Sequence, residues 1–136
     1  MRKYVFIGCG GFTGAILRYL GEKAEIRHYF QDFPLNTLII NLSGAFLLAL
    51  ILTAAYEILK MDEDIRLGIA TGFLGAFTTF STLCKETIGL MRGGDYFLAI
   101  IYVTASAVLG LGAVCLGITA SRKVLSKFLQ DRRNSR

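Results

Sequence analysis

The chain has 136 residues, 54% of them hydrophobic and only 18% charged, with a mean hydropathy of +0.54. So much apolar surface exceeds what one small soluble core can hide, which excludes an ordinary soluble domain and fits a membrane solvent. The formal charge of +5 gathers after the last apolar run, in Arg122, Lys123, Lys127, Arg132, Arg133 and Arg136, and so reads as a juxtamembrane basic tail against anionic headgroups, with no nucleic-acid partner.

Four apolar runs follow one another: Tyr4–Leu20, Leu35–Leu59, Leu67–Met91 and Tyr96–Ala120. A helix needs roughly 20 residues to cross ~30 Å of hydrocarbon. The expectation is an all-α membrane protein of four transmembrane helices, one domain over residues 1–121 with spans at about 4–20, 35–59, 67–91 and 96–120, then the basic tail 122–136. Short connections leave no room for a soluble catalytic domain. The first run follows Met1-Arg2-Lys3 but has no clear small-residue cleavage site before Glu22, so it reads as a first helix and not a signal peptide.

In that first run Gly10 and Gly14 stand in GxxxG register, the mark of a face that lets another backbone approach closely. The stretch Gly21–Pro34 mixes charges with Ile26, Tyr29, Phe30 and Phe33, as an interfacial segment does, and Pro34 suits a helix start. In the second run Thr37, Asn41 and Ala45 recur every four residues beside Gly44, making one small, polar face. Met61-Asp62-Glu63-Asp64 reads as a solvated loop and N-cap region. The fourth run carries a small stripe of Tyr102, Ser106, Gly110, Ala113 and Gly117 and ends near Ala120. Cys9, Cys84 and Cys115 stand alone as packing thiols, and His28 is remote from them, so no metal site built on side chains is expected.

Four spans place both termini and the Lys60–Arg66 loop on one side. Without the tail, Arg2, Lys3, Lys60 and Arg66 balance Arg18, Lys23, Arg27 and Arg92, with Lys85 inside the third span. Loop charge therefore gives the bundle almost no orientation, and only the tail favours termini in the cytoplasm.

The third run differs. Gly72-Phe73-Leu74-Gly75-Ala76-Phe77-Thr78-Thr79-Phe80-Ser81-Thr82-Leu83-Cys84-Lys85-Glu86 sets glycines and β-branched threonines at the middle of a span. This predicts a helix broken at its midpoint, tolerated in hydrocarbon only where protein, water or an ion satisfies the freed backbone. Freed carbonyls suit Na⁺ or another hard cation. Beyond the break Thr79, Thr82 and Glu86 fall at i, i+3 and i+7, a polar stripe with Phe80 beside it. An ionisable residue there usually faces a bundle interior or a watery vestibule. The bland reading is that the hydroxyls bond back to their own helix and that Glu86 pairs with Lys85 or snorkels. As a pathway, Asn41, the hydroxyls and phenyl edges offer donors without a midplane Arg or Lys, a lining for a small anion such as fluoride.

At this point the sequence resembles the Fluc (CrcB) family of bacterial fluoride channels across its whole membrane region. Three blocks carry the resemblance: residues 10–19, similar to GGxxGAxxRY; residues 37–46, similar to TLxxNxxGxF; and residues 72–82, similar to GxxGxxTTFST. It implies a multi-pass protein of the bacterial inner membrane, an antiparallel dual-topology homodimer in the lipid bilayer, with two fluoride pores. A structural Na⁺ on the two-fold axis would be held by the backbone carbonyls of Gly75 and Thr78. The family's anion-facing groups map onto Asn41, Phe80, Ser81 and Thr82, with Tyr102 and Ser106 from the fourth helix, and Glu86 continues the track. Arg18 and Thr37 map to structural or vestibule positions. Two positions depart from the pattern: Leu83 stands where a second phenylalanine is usual, and Asn36 where glycine often precedes Thr37.

The function expected is passive fluoride export, with no enzymatic activity: no nucleophile or general-base pair assembles around the one deep carboxylate. A small proton-coupled exporter of the multidrug type would need an acidic residue deep in the first span, which Tyr4–Leu20 lacks. A non-transporting assembly subunit is the remaining alternative.

Overall fold

The computed structural model describes residues 1–23, 33–57, 59 and 61–134, and the described residues form helices joined by short turns. Most of the stretch read as interfacial, with His28 and Arg27, lies outside the described residues, as do Lys60 and Arg136. In chain order the elements are α1 (Arg2–Lys23), α2 (Leu35–Glu57), α3 (Glu63–Leu67), a π-helical stretch (Gly68–Leu74), α4 (Gly75–Phe77), α5 (Phe80–Arg92) and α6 (Tyr96–Asn134). The pieces from α3 to α5 lie in the run expected to be the third span.

Among the described residues, three helical stretches are long and apolar enough to cross a membrane: Leu35–Glu57, Glu63–Arg92 and Tyr96–Val124. The protein is a multi-pass membrane protein. Its apolar residues face outward, with Phe97 77% and Leu111 70% exposed, the reverse of a water-soluble surface. At 22 residues α1 matches them in length, but Arg2, Lys3, Arg18, Glu22 and Lys23 dilute its apolar character.

α1 lies against the first half of the third span, and glycine permits the approach. A methyl group at Gly14 would overlap the Phe73 carbonyl, and one at Gly10 would overlap the Gly68 carbonyl, so backbone meets backbone. α2 packs along α6, where Gly117 sits against the Phe46 carbonyl and Ala49. Between them Leu38, Ile40, Leu74, Ala99 and the fully buried Tyr102 form the small core.

One end of the bundle is tied by ion pairs. Arg2 reaches Asp62 at 2.6 Å and Asp64 at 3.2 Å, and Arg122 reaches Glu57 at 2.9 Å. Arg66 lies over the Tyr56 ring. Asp62 also caps α3, its Oδ1 accepting from the Asp64 N–H. The Arg2 hydrogen bond, with the Asp64 N–H, holds the Asp62 carboxyl below the usual carboxylate range.

The last helix does not stop near Ala120 but runs to Asn134. Hydropathy marks where lipid ends, whereas a helix ends at a breaker or cap, and no glycine or proline stands between Ala120 and Asn134.

Candidate functional site

The third span unwinds in two stages. Gly68–Leu74 takes the wider π winding, and the Gly75 N–H reaches back to the Ala70 carbonyl. After one more turn, Thr78 (φ −79°, ψ 154°) and Thr79 (φ −144°, ψ 115°) are extended, and α5 starts at Phe80. Buried backbone groups must find partners, so the bonds lost here can be followed one by one.

The Thr79 N–H, which an unbroken helix would give to the Gly75 carbonyl, donates to Asn41 Oδ1 at 2.8 Å. Asn41 Nδ2 donates back to the Thr79 carbonyl at 3.0 Å. The Thr82 N–H, owed to the Thr78 carbonyl, goes to Thr79 Oγ1 at 3.2 Å, making Thr79 the N-cap of α5. The Ala76 carbonyl accepts from Arg18 Nε at 3.1 Å, and the Leu74 carbonyl takes both the N–H and the hydroxyl of Thr78. The carbonyls of Gly75, Phe77 and Thr78 have thus lost their helical donors, and those of Gly75 and Thr78 are the pair singled out in the sequence. They lie at the C-terminal end of a half-helix, where the peptide dipoles are negative. Two hard, uncharged oxygens there fit a hard monovalent cation, and among the described residues no group of three or more His, Cys, Asp or Glu gathers to bind a metal by side chains.

Beyond the break a second set of polar groups is connected. Thr79 Oγ1 meets Ser81 Oγ at 3.2 Å and donates to Thr82 Oγ1 at 3.0 Å. One turn on, Glu86 Oε1 accepts from the Thr37 hydroxyl at 2.9 Å and Oε2 from the Tyr102 hydroxyl at 2.7 Å. Glu86 is thereby bound by α2 and α6 and not by Lys85. Phe33 meets the Tyr102 ring edge-on at 5.5 Å between centroids.

Two clefts flank this line. One, of about 320 Å³, is lined by Glu22, Phe33, Asn36, Thr37, Thr82 and Glu86 among others. The other, of about 350 Å³, brings together Asn41, Gly75, Thr78, Thr79 and Phe80. Phe80 is 78% exposed and Gly75 lies on an open face.

The sequence-derived residues are therefore distributed unevenly. Thr37, Thr82, Glu86 and Tyr102 converge, and Asn41, Phe80, Gly75 and Thr78 converge at the break. Ser81 links to the first set through Thr79. Ser106 does not join either, because its hydroxyl bonds back to the Tyr102 carbonyl at 2.7 Å. Leu83 is half-buried, beside Phe80 in helical register.

The family model described as "CrcB-like protein, Camphor Resistance (CrcB)" matches residues 5–118. The chain belongs to this CrcB family. The "Fluoride-specific ion channel FluC 1" of Bacillus anthracis is 41% identical over 133 residues, covering 96% of this chain and 97% of that protein. The protein of the same name from Moorella thermoacetica is 44% identical over 123 residues, 90% of this chain and 88% of the relative. The "Fluoride-specific ion channel FluC" of Geobacter sulfurreducens is 40% identical over 124 residues, 91% and 100% of the two chains.

Three participants in this CrcB chain escape sequence reasoning. Glu22 pairs with Arg18 at 3.0 Å, Asn36 Nδ2 donates to the Glu22 carbonyl at 3.0 Å, and Phe33 abuts Tyr102. The Arg18–Glu22 spacing of i, i+4 was a readable signal for the pair. The capping role of Thr79 was likewise readable from a threonine ahead of a helical run.

Proposed function

We propose that the chain forms a passive, fluoride-selective channel that lets fluoride leave the cytoplasm across a bacterial inner membrane. Each chain would contribute four spans, α1 included, to an antiparallel dual-topology homodimer with two pores and a structural Na⁺ on its axis. The observation that carries the reading is the connected run of hydroxyl groups from Thr79 and Ser81 to Thr82, continued by Glu86 with Thr37 and Tyr102, beside a backbone break. The names of the three relatives point to the same ion.

Fluoride is small and strongly hydrated, so a dry path must replace its water with several short donors at once. Thr82, Ser81 and the second N–H of Asn41 are donors of this kind, and the Phe80 ring edge adds a weak positive one. At Glu86 the Thr37 and Tyr102 hydroxyls point their protons at the carboxylate. A fluoride arriving there competes with the carboxylate for those protons, which supplies a hand-over between the track and the cleft. The exposed Phe80 and the open face at Gly75 leave both lines of the site incomplete in one chain, which supports closure by a second copy. The balanced loop charge supports insertion in both orientations.

The Gly75 and Thr78 carbonyls would hold Na⁺, whose charge would offset the two negative half-helix ends that an antiparallel pair brings together. The test is fluoride efflux from proteoliposomes, read with a fluoride electrode. Efflux well above that of empty vesicles is expected; a folded dimer that gives none would overturn the reading.

A further inference from the structure

Arg18 sets its charge against the broken helix end that carries the Gly75 and Thr78 carbonyls. Its Nε donates to the Ala76 carbonyl at 3.1 Å, next in sequence to Gly75, and its Nη1 meets Glu22 Oε1 at 3.0 Å. The arrangement is built from both sides. Gly14, one turn earlier on α1, brings the helix against the Phe73 carbonyl, and this sets the Arg18 stem beside α4. Asn36 on α2 donates to the backbone carbonyl of Glu22 at 3.0 Å, fixing the end of α1 that carries the pair. Asn36 stands at one of the two positions that depart from the family pattern given above.

Four carbonyls at the break, those of Gly75, Ala76, Phe77 and Thr78, are deprived of ladder partners, and the Ala76 carbonyl, next to Gly75, would compete with it for a cation. We propose that Arg18 is a positioning residue for the cation site: by occupying the Ala76 carbonyl it keeps the cation off that oxygen and holds the break in register. Two opposing effects bear on a cation. The guanidinium repels it, but Glu22 at 3.0 Å offsets that charge, so the pair projects little net field. The directed Arg18–Ala76 bond is the larger effect, and it needs the planar fork of arginine.

The inference rests on the Na⁺ reading given above, and its test separates the two. The full-length dimer is melted in detergent over a series of Na⁺ concentrations, with N-methylglucamine as the replacing cation, and fluoride efflux is measured alongside. Wild type shows a melting temperature that rises with Na⁺; a wild type indifferent to Na⁺ overturns the cation reading itself. Arg18→Lys and Arg18→Gln both move the Na⁺ midpoint upward by about tenfold, the loss expected for one charge-assisted hydrogen bond. High Na⁺ restores their efflux. If Arg18→Lys keeps the wild-type midpoint, the charge alone suffices and the positioning role is wrong. Should both Arg18 variants fail to fold, Asn36→Ala decides, since it releases the end of α1 that seats Arg18 against Ala76 while leaving both charges in place. A raised midpoint supports the role and an unchanged one overturns it.

Discussion

Asn41 and Thr79 share two hydrogen bonds: the Asn41 amide oxygen accepts the Thr79 N–H at 2.8 Å, and its nitrogen donates to the Thr79 carbonyl at 3.0 Å. A side chain on α2 thus stands in for the helical ladder at the point where the third span breaks. Asn41→Ala leaves a buried N–H and a buried carbonyl unpaired, each worth about 1–3 kcal/mol. A loss of about 2–4 kcal/mol in thermal or denaturant unfolding is expected. Asn41→Asp keeps the acceptor but sets a carboxylate against the Thr79 carbonyl, so fluoride efflux should fall even where the variant folds. Wild-type stability in Asn41→Ala would show that the clamp carries no weight.

Glu86 draws on α2 and α6 at once, through the hydroxyls of Thr37 and Tyr102. Tyr102→Phe removes one of these bonds while keeping the buried ring and its contact with Phe33. The expected cost is about 1–2 kcal/mol of stability. Fluoride efflux should slow by roughly tenfold, because one proton of the hand-over is gone. Efflux equal to wild type in proteoliposomes would place the ion's route elsewhere.

Gly14 is required by packing and not by its own conformation. Gly14→Ala drives a methyl into the Phe73 carbonyl, a backbone atom that cannot rotate away. Overpacking of this kind costs about 1–3 kcal/mol. Gly8→Ala serves as the control, since nothing lies within 4 Å of a methyl there. The two should separate clearly in melting temperature; equal values would contradict the close α1 crossing.

Leu83 follows Phe80 by three residues on α5, and so shares its face in helical register. Leu83→Phe adds a ring edge that leucine cannot present. The expected outcome is faster fluoride efflux with discrimination against chloride retained. An unchanged rate would mean that position 83 does not touch the ion's path.

Parts of this arrangement were legible in the residues, and the physical reason differs from part to part. Gly10 and Gly14 announced a close helix crossing because only small residues permit one. The Gly-and-Thr-rich centre of the third span announced a break because those residues weaken a helix locally. Such signals are short-range. The partners at the break are not: Asn41 lies 38 residues from Thr79, and Arg18 lies 58 residues from Ala76. Nothing in spacing alone said that Asn41 would bind backbone, that Ser106 would turn back on its own helix, or that Asn36 would hold Glu22. The continuation of α6 past Ala120 to Asn134 was not legible either, since hydropathy marks a solvent boundary and not a helix boundary.

The central claim is tested most directly by anion selectivity of the wild-type protein in liposomes, with fluoride and chloride efflux compared under identical gradients and Phe80→Ile run in parallel. The account predicts rapid fluoride efflux, chloride efflux no greater than in empty vesicles, and a strong loss of fluoride efflux in the variant. Equal passage of the two anions, or none of either from a correctly folded dimer, would contradict it.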